Sequence, residues 1–139
     1  MRQSTKTLHV RTRGRGLVEI TRDVEQWVGE SSLGAGVLTI FIRHTSASLL
    51  IQENADPDVQ RDLERFFARL VPEGDPLFRH TTEGPDDMPA HVRAALTQSH
   101  LSIPIADGTL VLGTWQGIYV YEHRTAGHTR EIVLHVNGE

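Results

Sequence analysis

Three of the chain's eight histidines stand apart from the rest by their surroundings. His44 closes the apolar run "VLTIFI" and is followed by Thr45, Ser46, Ala47 and Ser48, small side chains that leave room beside an imidazole. His80 lies in the polar stretch "EGDPLFRHTTEGPDD", residues 73 to 87, and His91 in the first turns of the helical segment "MPAHVRAALTQS". Three imidazoles with one open position are the ligand set of a catalytic zinc. The chain has no cysteine, so any transition-metal site must be built from nitrogen and oxygen. The separations of 44, 80 and 91 match no metal-binding motif. The same residues also read as three unrelated histidines, two of them satisfied by loop carbonyls, while His9, His100, His128 and His135 read as surface or satisfied histidines.

The carboxylates and amides carry two readings each. Glu53 ends a strand beside Asn54 with no basic partner in sequence. It suits a general base or a group orienting a metal ligand, and equally a carboxylate capping its own turn. Asp56, before Pro57, is a helix cap. Asp86 and Asp87 either cap the next helix or orient His80 and His91. In "GTWQGIYVYEHR" Gly113 and Gly117 bracket Thr114, Trp115 and Gln116, which suggests a tight bend or close backbone approach. Trp115 is a core plug or a pocket wall, and Gln116 a ligand hydrogen-bonder. Arg124 and Arg130 flank the last turn, either holding a phosphate or carboxylate or standing as exposed charges. Arg11, Arg13 and Arg15 alternate with Thr and Gly and read as a solvated strand end.

These groups need elements to hold them. Residues 3 to 10 and 17 to 20 alternate as strands, and Thr21 caps a short helix with Val24, Trp27 and Val28 on one face. "VLTIFIRH" is a buried strand, and "SASLLIQE" a second one antiparallel to it. Asp56-Pro57 opens a helix with the stripe Val59, Leu63, Phe66, Phe67 and Leu70. Asp87 caps the next helix. "LSIPI" and "TLVLGT" form a hairpin through Asp107-Gly108, and "GIYVYEHR" and "TREIVLHV" another through Ala126-Gly127. The class is α+β: a β-sandwich-like, mostly antiparallel core with two or three short helices, one domain over residues 1–139.

Composition excludes several functions. A net charge of -4 gives no bulk attraction to nucleic acid or anionic membrane. Of the 14 basic residues only Lys6 is lysine, which leaves Schiff-base chemistry and a Walker-type phosphate loop unsupported. No apolar run is long enough to span a membrane. With no signal peptide visible and no cysteine, the expected location is cytoplasmic.

The segments "HTSASLLIQENADPDV" (44 to 59), "HTTEGPDDMPAHVRAAL" (80 to 96) and "GTLVLGTWQGIYVYEHR" (108 to 124), with the terminal "NGE", resemble the YjbQ family, also described as secondary thiamine-phosphate synthase-type proteins. The resemblance runs over essentially the whole chain. It implies a homotrimer with a histidine cluster that sometimes holds a metal such as zinc, falling here on His44, His80 and His91. It implies catalytic roles for Glu53, Asp56 and Gln116, and substrate contacts from Ser46, Ser48, Asn54, Trp115, Gly117 and Arg124. The implied reaction of thiamine biosynthesis couples hydroxymethylpyrimidine diphosphate with thiazole phosphate, a divalent ion stabilising the departing diphosphate. Mg²⁺ prefers oxygen ligands, whereas imidazoles suit zinc. A zinc-dependent hydrolase of a small phosphorylated or acyl substrate, with Glu53 taking a proton from water, is therefore the alternative. A trimeric ligand-binding module without enzymatic activity is the third. In each, Glu53 to Asp56 are expected at the same end of the sandwich as His44.

Overall fold

Alternation along β3 (Gly36–Ile42) sends Leu38, Ile40 and Ile42 to one face, and all three are buried. The same period places Leu101, Ile103 and Ile105 of β5 (His100–Ala106) and Ile132, Leu134 and Val136 of β8 (Thr129–Gly138) on that face. In the computed structural model, which describes residues 1–139, β3 lies between β8 and β5. With β1 (Arg2–Arg11) and β6 (Thr109–Leu110) they form an antiparallel sheet of order β1-β8-β3-β5-β6. A second antiparallel sheet, order β2-β7-β4, contains β2 (Gly16–Glu19), β7 (Gln116–Glu122) and β4 (Ala47–Glu53). Ile118 and Val120 of β7 and Ala47 and Leu49 of β4 join the first sheet's inner face in one core of 18 buried residues. This is the expected α+β sandwich.

Three helices dress it. α1 (Thr21–Glu30) buries Val24, Trp27 and Val28. α2 (Pro57–Leu70) starts as its sequence dictates: Asp56 accepts the Asp58 N–H at 2.9 Å, and Pro57 occupies the first turn. It covers the outer face of β7, where Phe67 meets Tyr121 edge-on at 5.9 Å and Tyr121 donates to Glu64 at 2.9 Å. No residue of α2 is fully buried, and Phe66 and Leu70 are about half exposed, at 49% and 53%. α3 (Asp87–Leu96) carries His91. No helix is long and apolar enough to cross a membrane.

Four local expectations are corrected. β4 does not pair with β3; it crosses to the other sheet and pairs with β7 from Ala47↔Glu122 to Glu53↔Gln116. β7 and β8 are not a hairpin, because residues 123–128 carry the chain from one sheet to the other. Thr21 does not cap α1 with its side chain. Its hydroxyl donates to Glu19 and accepts the Ile118 N–H, both at 2.8 Å, fastening the helix to β7. Asp87 lies inside α3, whose N-cap is Asp86, and Asp86 makes no capping bond because Arg124 and Thr125 occupy its carboxylate.

Candidate metal centre

Residues four apart on a helix share a face, so α3 presents Asp87 and His91 together. The loop after α2 brings His80 to the same carboxylate. Asp87 Oδ2 lies 2.7 Å from His80 Nε2 and 3.2 Å from His91 Nε2, and the two imidazoles stack with centroids 5.5 Å apart. One ligand atom from each residue falls within 4.8 Å of the others. The Asp87 side chain is 2% exposed, while His80 and His91 reach solvent at 40% and 30%. A cleft of about 210 Å³ opens beside His80, walled by Phe78 and Met88.

The hydrogen bonds around the cluster fix its orientation. His91 Nδ1 donates to Thr45 O at 3.0 Å, so a neutral His91 turns its Nε2 lone pair toward Asp87 Oδ2. Two acceptors face each other there, and only a proton or a cation between them makes the contact favourable. Asp87 Oδ1 is occupied by Arg124, whose Nη1 donates to it at 2.8 Å. The rest of that guanidinium is engaged as well: Nε donates to Asp86 at 2.8 Å and Nη2 to Glu83 O at 2.9 Å. Burial would raise the Asp87 carboxyl. The His80 bond and the charges of His91 and Arg124 outweigh it and hold the carboxyl below its ordinary range. The Arg124 bond holds Asp86 well below the ordinary carboxylate range, against burial. Arg124 thus positions the carboxylate and has no free edge for a substrate phosphate. Arg124→Lys keeps the charge and loses the fork; it is expected to weaken zinc binding about 10-fold or more, read by competition with a chelating dye. Wild-type affinity in that variant would remove the positioning role.

The expected third imidazole is elsewhere. His44 Nε2 accepts the Glu131 N–H at 2.8 Å, which leaves Nδ1 carrying the hydrogen of the neutral ring, 3.4 Å from the Arg130 guanidinium. Burial, then the charge of Arg130, lowers its pKa. Ser46 accepts from Arg130 at 3.0 Å. Arg130 is itself buried against Glu122: its Nε donates at 2.9 Å and Nη2 makes a second, short bond. Thr12 donates to the same carboxylate at 2.6 Å. Ser48 is buried too, joined to Thr97 Oγ1 at 2.6 Å and to His123 Nε2 at 2.8 Å. Both serines are parts of internal networks.

The remaining candidates form a second group at the far end of β4 and β7. Seven paired residues at ~3.3 Å each put Glu53 and Gln116 roughly 20 Å from Ala47 and Glu122. Glu53 accepts the N–H groups of Ala55 and Asp56 at 3.1 and 2.8 Å, capping its own turn. Gln116 accepts the Gly113 N–H at 2.8 Å. Gly117 is pressed in: a Cβ there would lie 2.8 Å from Glu19 and 3.1 Å from Asn54. Trp115 is 61% exposed, so it plugs no core. Of this group only Asn54 lines the neighbouring polar cleft of about 800 Å³, with Glu19, Thr21 and Arg22. Within one chain they do not reach the histidine cluster.

Sequence reasoning gave Asp87 only a supporting part; its i, i+4 spacing to His91 was the available signal. It also missed His123, which is fully buried with Nδ1 unpartnered. Burial, then the charge of Arg93, pushes its pKa down to about 3. The unfolded imidazole takes up a proton near pH 6.5 and the folded one does not, so its contribution to stability is full above that pH and declines as pH falls toward 3. The ¹⁵N signals of His123 are expected to stay those of a neutral ring from pH 8 to pH 4; a midpoint near 6 would contradict this burial.

An α+β sandwich that sets two imidazoles and a buried carboxylate at one sheet end defines a protein with a candidate transition-metal centre. The family described as UPF0047 protein YjbQ-like matches residues 6–139, and the chain belongs to it. It is 52% identical to a UPF0047 protein of Synechocystis over 138 residues, 99% of this chain and 94% of the other. It is 39% identical to the UPF0047 protein YjbQ of Escherichia coli O157:H7, over 96% and 97% of the two chains. A crystal structure of an uncharacterized YjbQ/UPF0047 family protein from Clostridium acetobutylicum superposes with a TM-score of 0.84 at 35% identity, covering 96% and 99%.

Proposed function

We propose that His80, Asp87 and His91 hold a divalent metal, zinc foremost, and that the chain is a metal-dependent hydrolase of a small phosphorylated or acyl substrate. The observation that carries this reading is the convergence of one ligand atom from each of His80, Asp87 and His91 within 4.8 Å of one another, where a cation, like a proton, answers the facing acceptors of His91 and Asp87. Two neutral nitrogens and one carboxylate oxygen are a recurrent catalytic zinc set. Bound there, the metal would supply Lewis-acid activation of water. Asp87 brings the negative charge, Arg124 keeps its second oxygen occupied, and the Thr45 carbonyl holds the His91 ring in orientation. The exposure of His80 and His91 leaves a substrate room to approach.

The coupling reaction implied by the resemblance is not favoured by the geometry. Arg124, its expected phosphate donor, is engaged with Asp86 and Asp87, and the donor set suits zinc better than magnesium. In our reading a second copy of the chain, in a homotrimer, brings Glu53, Asn54, Trp115 and Gln116 toward this cluster. Support comes from the half-exposed apolar side chains of α2, from the exposed Trp115, and from the separation of the two groups along β4. Generic esters and phosphoesters should be screened with zinc-loaded protein, with and without chelator. Turnover that chelator removes and zinc restores is expected. Turnover indifferent to chelator contradicts the metal role, and ligand binding without any turnover favours a binding module.

A further inference from the structure

The arginines of "RTRGRG" have different fates. Arg15 is drawn inward, its side chain 20% exposed, donating to His123 O at 3.4 Å and to Glu73 at 3.3 Å, with Glu64 at 3.7 Å. Arg93 also bonds Glu64, at 3.0 Å, so these two arginines and two glutamates balance. Arg11 and Arg13 add two positive charges that no carboxylate answers; both are exposed, and neither side chain makes an ion pair or hydrogen bond. Thr12 between them is buried and turns its hydroxyl inward to Glu122.

The backbone of this corner is also unpartnered. Residues 13 to 15 belong to no strand, and the N–H groups of Arg13, Gly14 and Arg15 have no acceptor in the chain. Gly14 and Gly16 have φ values of +139° and +144°, conformations in which no Cβ shields the adjoining amides. A Cβ on Gly14 would lie 2.8 Å from Thr125 O, so only glycine fits. Arg11, Arg13, Gly14 and Gly16 line a cleft of about 390 Å³.

We propose that this β1–β2 corner is a binding site for the phosphoryl group of a small organic phosphate. Guanidinium groups recognise phosphate oxygens through charge-assisted, paired donors. Successive free amides in a glycine turn add further donors for an anion. Two uncompensated charges match a dianion. The net charge of -4 opposes a polyanion such as nucleic acid. The proposal goes beyond the hydrolase reading and does not depend on a bound metal: none of the corner's lining residues is a member of the histidine cluster, and the link between the two runs through Thr125, which donates to Asp86 at 2.9 Å, and through Arg15 and the chain at His123–Arg124.

Chelator-treated protein is titrated with sodium phosphate and with glycerol 3-phosphate at constant ionic strength, following amide resonances. Saturable shifts at Arg13, Gly14 and Arg15 are expected, tighter for the ester. Replacing Arg11 and Arg13 together by Gln should weaken binding about 100-fold, roughly tenfold per guanidinium. Arg22→Gln makes a charge change on α1 and should leave binding within about twofold, a margin of only ~0.4 kcal/mol. Unchanged amide spectra elsewhere show that each variant is folded. Absence of saturable shifts at these amides, equal shifts with chloride, equal losses in Arg22→Gln, or inorganic phosphate binding as tightly as the ester would each overturn the proposal.

Discussion

Arg130→Met is expected to destabilise the protein by about 3–5 kcal/mol, the cost of leaving a buried charge without its partner. Glu122 is fully buried and Arg130 is 4% exposed. Without the guanidinium, the carboxylate keeps the Thr12 hydroxyl, the Arg124 N–H and the half-exposed His128 imidazole at 3.7 Å, none of them a fixed buried charge, and Ser46 loses the donor that fixes the turn after His44. The pair has a pH signature. Burial alone would raise the Glu122 carboxyl, but its bonds to Arg130 and Thr12 hold it below the ordinary range. A carboxyl depressed by folding contributes stability above its unfolded pKa and loses it as pH falls through the folded value. The deficit of the variant should therefore be largest near neutrality and shrink in acid. Urea midpoints at pH 7 and pH 4 measure both statements. Pairing the change with Glu122→Leu should recover much of the loss, since two apolar groups leave no orphaned charge. A deficit below about 1 kcal/mol at pH 7 would place the pair among weakly contributing surface bridges.

Asp87→Asn is expected to lower zinc affinity by more than about 100-fold, beyond the 10–100-fold typical of groups that only support a ligand. Asn preserves the shape and can still accept from Arg124 through its carbonyl, and Asp86 remains to balance that arginine. The fold should persist, and the lost charge should appear in metal binding. Competition titration against a chelating dye reads the affinity, and circular dichroism checks the fold. A loss within about 100-fold in a folded variant would show that Asp87 supports the histidines and does not face the metal.

The sandwich core was legible because alternation marks faces: Leu38, Ile40 and Ile42 declare one side of a strand whichever neighbour it takes. The same signal does not name the neighbour. That is why alternation and chain order suggest β3 for β4 and β8 for β7, whereas the two pair with each other. Local chemistry was readable where it is local. Asp56-Pro57 opens α2, and Glu53 closes its own turn. His80 and His91 were visible from their settings, but His44 looked the same in sequence. Its Nε2 is taken by the backbone of Glu131, 87 residues away, which no local pattern encodes. Arg130 could have been placed inside, because it shares parity with the buried Ile132, Leu134 and Val136. The distance between Glu53 and the histidine cluster was hidden, since adjacency to His44 in sequence suggested nearness while seven residues of strand separate the two ends.

The central claim, that His80, Asp87 and His91 hold a metal, is tested most directly by zinc content. Protein purified without a histidine tag is loaded with zinc, desalted and measured by elemental mass spectrometry beside His91→Ala. About one zinc per chain in the wild type, as a catalytic site requires, and its loss in the variant are the expected results. A wild type that retains no zinc, or a variant that retains it all, would contradict the account.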